Sequence, residues 1–166
     1  MTELVTFIVF CQALGAIVGA VTAVWGEIAY VRAMKDGTID RAERAHLRVI
    51  AHGLRFGMTL LLLASFALVV VAYLSRAAVQ PALTSGYWAL TIFALLVVYV
   101  TWALSRKRIS FALGSAIAFT GWWFLAYLTL GLLPGISFGS SVAYFAVATA
   151  VFYAILQYAR MLARPT

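Results

Sequence analysis

The sequence predicts an all-α integral membrane protein of five transmembrane helices, with the N-terminus outside and the C-terminus cytoplasmic. Three observations carry that prediction. Of 166 residues, 65% are hydrophobic and only 10% are charged, and mean hydropathy is +1.02; soluble domains carry about 25% charged residues. Several apolar runs exceed the ~18 residues that suggest a spanning helix, and in order along the chain they make five spans. Finally, eleven of the twelve Arg and Lys residues fall on one side of those spans, which the positive-inside rule reads as cytoplasmic. A single membrane domain, residues 1–166, accounts for the whole chain.

The first span, residues 4–31, carries Gln12 and Glu27 in an otherwise apolar helix. Every fourth residue reads Cys11, Gly15, Gly19, Ala23, Glu27. At 3.6 residues per turn these lie close to one line, a small-residue groove ending in a carboxylate. The start, Met1-Thr2-Glu3, has no basic n-region, so the span is expected to be retained rather than cleaved as a signal.

A turn, Asp36-Gly37-Thr38-Ile39, follows, with Gly37 suited to a left-handed helix cap. Asp40 and Glu43 then form a capping-box pattern, which starts the second helix at Arg41. That helix runs without proline to about residue 75, or ~50 Å at 1.5 Å per residue, against a ~30 Å hydrocarbon core. Its membrane part is residues 49–75, and residues 32–48 are expected to form a cytoplasmic helical hairpin extension. The acidic pattern around Asp36 and Asp40 resembles half a calcium loop, but Arg32 and Met34 stand where oxygen ligands should be.

A loop containing Pro81 leads to the third span, residues 87–104, whose ends carry Tyr87, Trp88, Tyr99 and Trp102 as interfacial aromatics. Arg106, Lys107 and Arg108 make a tight basic turn. The fourth span, residues 110–133, holds Gly114, Ala118 and the pair Trp122-Trp123, and Pro134-Gly135 ends it. The fifth span, residues 137–156, has small residues at Gly139, Ala143, Ala146 and Ala150. The Gly114/Ala118 and Gly139/Ala143 faces are the candidates for a homo-oligomer contact. Gln12 and Gln157 are expected to hydrogen-bond between helices.

The polar residues define the candidate site. Arg41, Arg44, Arg48, His52 and Arg55 recur at three- and four-residue spacing and so share one face of the second helix. Beside them Gly53 and Gly57 form a G-x-x-x-G line, matching Gly15, Gly19 and Ala23 on the first helix. An antiparallel hairpin brings Glu27 to the depth of residues 49–55, and Arg55 is its expected partner, with His52 and Arg48 as competitors. The cluster Glu27, Arg48, His52 and Arg55 is therefore a candidate site for a small anionic or proton-coupled ligand, bound or passed through the membrane. The plain alternative is a buried pair that fixes the hairpin. Arg41, Arg44, Arg106, Lys107 and Arg108 are expected at anionic lipid headgroups.

The net charge of +7 follows from membrane topology, and no nucleic-acid partner is implied. One cysteine, Cys11, excludes an internal disulfide and multi-cysteine metal sites. His46 and His52 lie six residues apart, about 120° around the helix, so they cannot ligate one haem iron together; haem bound through His52 alone is the second functional reading. No nucleophile–base arrangement, phosphate loop or zinc motif is present, so the reading is non-enzymatic. The third reading is a structural or assembly subunit of a membrane complex. The expected location is a prokaryotic-type plasma membrane.

Overall fold

A computed structural model describes residues 2–36, 41–133 and 137–162, without the side chains of residues 33–36 and 41–44. Among the described residues the chain is all-helical: α1 Thr2–Asp36, α2 Arg41–Leu74, α3 Ser85–Ser105, α4 Phe111–Thr129 and α5 Phe138–Leu162, with one short 3-10 turn at Pro81–Leu83. All five α-helices are long and apolar enough to span a membrane. Large apolar side chains such as Phe7, Phe66, Leu95 and Val147 stand exposed around the bundle, a surface suited to lipid rather than water. The turn at Gly37, the capping residue Asp40 and the Pro134-Gly135 pair lie outside the described residues, as do the side chains of Glu43, Arg41 and Arg44.

The helix ends have identifiable causes. Thr84 caps α3 by accepting from Tyr87 N–H, and Ser110 caps α4 by accepting from Leu113 N–H. The fourth helix stops at Thr129, short of the end of its apolar run. There Gly131 takes φ +67°, and the amides of Gly131 and Leu132 bond back to the carbonyls of Leu128 and Tyr127, a Schellman closure. Hydropathy reports the solvent around a segment and does not register that turn. Arg76 and Lys107 close α2 and α3 with the same bonds at φ 50° and 54°, a conformation that disfavours a Cβ.

α1 and α2 form an antiparallel hairpin with the most extensive contact in the bundle, and α4 is the central helix, packing against α1, α3 and α5. The hairpin is close because its seam lacks side chains. A Cβ added at Gly15 would lie 2.7 Å from the backbone nitrogen of Leu61, and one at Gly57 would lie 2.7 Å from the carbonyl oxygen of Gly15. Thr22 sits beside Gly53, and Gln12 donates to Ser65 Oγ at 2.8 Å, tying the two helices together at the far end. Gly19 has a second neighbour: the Trp122 ring of α4 occupies the space its side chain would need. Around that contact Ala16, Ala20, Leu61, Val97 and Leu125 make the buried core.

With 35 and 34 residues, α1 and α2 are each about 50 Å long at 1.5 Å per residue. The α3 helix, 21 residues, reaches about 31 Å. The hairpin therefore extends past the α3–α4 turn at the basic end. α5 is the loosest element; only Ser141, Phe145 and Arg160 of it are buried. The Gly114 face is not free for a second copy, because Gly114 packs on the side chains of Leu104 and Ile109 within the chain. A Cβ at Gly139 would meet nothing, and Ala143 is exposed.

Candidate functional site

The intramembrane carboxylate has a partner, and it is not Arg55. Arg160 of α5 donates through Nη2 to Glu27 Oε2 at 2.7 Å and to Ser115 Oγ at 2.6 Å. The Ser115 hydroxyl donates onward to the Ala112 carbonyl at 3.2 Å. The guanidinium carbon lies 5.2 Å from the centroid of Tyr30 and 5.3 Å from that of Phe111, within cation–π reach of both. Arg160 is 4% exposed. Three helices, α1, α4 and α5, thus meet at one neutralised charge pair, which is what a carboxylate and a guanidinium at this depth require.

The expected pairing of Glu27 with Arg55 fails for a geometric reason. Each four-residue step along an α-helix overshoots a full turn by about 40°. From Gly15 to Glu27 the line turns by roughly 120°. It lies on the α2 seam at Gly15, touches both α2 and Trp122 of α4 at Gly19, and faces α4 and α5 at Glu27. Gly26 packs beside Ile50, so Glu27 also lies more than a turn from Arg55 along α2. Arg160, Ser115, Tyr30 and Phe111 were not foreseeable from local spacing, since 133 residues separate Glu27 from Arg160. One signal existed: Ser141, Phe145, Phe152, Leu156 and Arg160 fall on a single stripe of α5.

The other members of the candidate cluster stay apart from Glu27. Arg48, His52 and Arg55 are all exposed along α2. His52 Nδ1 lies 2.8 Å from the Arg48 carbonyl oxygen, which as a donor contact directs Nε2 outward. His46 accepts from the Trp25 indole N–H across the hairpin, which occupies its Nε2. Arg106, Lys107 and Arg108 are exposed at the α3–α4 turn, and the Arg108 guanidinium lies 4.8 Å from the Trp102 ring centroid. Gln157 bonds within its own helix, to the Tyr153 hydroxyl, whereas Gln12 bonds between helices.

Arg55 lines a cleft instead. α2 and α3 touch only lightly, and the gap between them is a cavity of about 550 Å³. Arg55, Met58 and Thr59 of α2 face Val98 and Trp102 of α3 across it, with Trp122 of α4 as the floor. Thr101 and Ser105, also on the α3 wall, donate their hydroxyl hydrogens to the carbonyls of Val97 and Trp102. Arg55 is different: among the described residues no carboxylate pairs with it. The cleft is therefore an apolar slot with one positive charge on its wall that no carboxylate among the described residues compensates.

The chain matches no protein-family model, no curated protein and no solved structure.

Proposed function

We propose that this chain is a non-enzymatic multi-pass membrane protein that binds an anionic ligand in the α2–α3 cleft, with Arg55 as the anchoring cation. The observation that carries the proposal is the contrast between its two intramembrane arginines. Arg160 is buried and paired with Glu27 and Ser115, whereas Arg55 lines an apolar cleft and pairs with no carboxylate among the described residues. A guanidinium held at the edge of a low-dielectric slot favours an anion that brings apolar surface with it. Glu27 then serves the fold, and Arg55 serves the ligand. In this reading the basic end faces the cytoplasm of a prokaryotic-type plasma membrane, and the Gly139/Ala143 face of α5 supports a symmetric homo-oligomer.

Trp102 and Trp122 line the cleft, so indole emission of detergent-purified protein reports its occupancy. Titration with a short-chain alkyl phosphate is expected to give a saturable change, with affinity weakened about tenfold in Arg55→Gln. A response that does not saturate, or that is equal in wild type and variant, removes the proposal. Anion flux into liposomes separates passage from binding alone.

A second reading is favoured by the outward Nε2 of His52, the orientation of a ligating imidazole whose other nitrogen is held by a carbonyl. Here His52 would hold a haem at the α2 surface, and the haem would supply one-electron chemistry. A Soret band in purified protein, lost in His52→Ala, supports it; a colourless preparation that takes up no added haemin removes it.

A further inference from the structure

We infer that the α2–α3 cleft holds one anionic phospholipid from the leaflet at the basic end, with its phosphate at Arg55 and an acyl chain lying in the slot. This rests on the anion-binding reading above and names the ligand class. The cleft opens between two helices that barely touch, and its rim residues Val98 and Trp102 are exposed on the bundle's outer surface. Access is thus sideways, from the bilayer. Directly below Arg55 the α2 sequence runs uncharged from Phe56 to Ser75, so the guanidinium stands at the border where charged side chains give way to hydrocarbon.

Charge and lining point to the same occupant. Arg108 over Trp102 puts a second cation beside the α3 wall, and Arg106 and Lys107 are exposed next to it. Basic residues so placed attract anionic headgroups. The walls between them are apolar: Leu54, Met58, Val97 and Val98. A free phosphate would satisfy Arg55 and leave that apolar surface uncovered; a neutral lipid would cover the surface and leave Arg55 uncompensated. An anionic lipid does both. The volume of about 550 Å³ lies within the ~300–1,000 Å³ typical of ligand sites.

The test is lipid retention by delipidated protein in detergent, read by native mass spectrometry. Phosphatidylglycerol and phosphatidylcholine of equal chain length are offered in turn, and inorganic phosphate separately. Wild type is compared with Arg55→Gln, with Val98→Trp, which fills the slot from a half-exposed position, and with Arg76→Gln, which removes one positive charge far from the cleft. Thermal melts confirm that each variant is folded. The expected result is a preference of about tenfold for phosphatidylglycerol, reduced to the phosphatidylcholine level in Arg55→Gln and Val98→Trp and kept in Arg76→Gln. Equal retention of phosphatidylglycerol by wild type and both cleft variants overturns the inference and marks ordinary boundary lipid. Arg55-dependent binding of inorganic phosphate without a lipid preference overturns it too, but leaves the anion-binding reading standing. Binding of neither removes both.

Discussion

Arg160 donates to Glu27 across 133 residues of chain, and the same Nη2 donates to Ser115. This contact joins α1 to α5, two helices that otherwise scarcely pack against each other. Removing one partner leaves a buried uncompensated charge, whereas removing both leaves an apolar gap. Glu27→Gln and Arg160→Gln are each expected to lower stability by about 3 kcal/mol, measured by unfolding in SDS–detergent mixtures. The double variant Glu27→Leu/Arg160→Leu is expected to regain most of that loss. A double variant less stable than either single would show that the pair contributes net stability beyond charge compensation.

The seam between α1 and α2 makes a second prediction. A side chain at Gly57 would press on the backbone of Gly15 and Gly19, which cannot rotate away as a side chain does. Gly57→Val is expected to cost about 1–3 kcal/mol in the same assay. Gly86→Ala, at a position where a Cβ meets nothing, should leave the unfolding midpoint where it is or raise it.

Arg76 holds a left-handed backbone conformation at the end of α2, and that conformation costs an L-residue roughly 1–2 kcal/mol. Part of the gain from glycine is offset by its greater freedom in the unfolded chain. Arg76→Gly should therefore raise stability by about 0.5 kcal/mol, visible as a small upward shift in melting temperature. A fall would mean that the arginine side chain contributes more at this helix end than its backbone strain costs.

The charge asymmetry makes a topological prediction. In a Cys11→Ser background, Ala77→Cys and Ser105→Cys place single thiols at opposite ends of the bundle. A membrane-impermeant maleimide added to intact cells is expected to label the first and not the second, following the positive-inside rule. The reverse pattern would invert the orientation and place the Arg55 cleft in the outer leaflet.

The five helices and the hairpin register were legible because both are local. Hydropathy marks each span, and Gly15, Gly19, Gly53 and Gly57 mark where two neighbouring helices approach without side chains between them. The Glu27 partner was not legible, because small residues at four-residue spacing read as a straight line in sequence while the real line winds around the helix. By Glu27 it has left α2 altogether. Arg160 was concealed for another reason: an arginine near the end of a last span reads as an interfacial charge, and only burial on the stripe shared with Ser141 and Phe145 distinguishes it. Arg55 was visible as a charge on the inner part of α2, but its neighbours across the cleft belong to α3, whose distance from α2 no local pattern encodes.

The Glu27–Arg160 contact also has a consequence in time. The cation is made 133 residues after the carboxylate, so during that stretch of synthesis α1 carries a charge whose partner does not yet exist. The junction of α1, α4 and α5 closes only when α5 arrives. A chain interrupted before Arg160 lacks the group that pairs with Glu27 and joins α1 to α4 and α5.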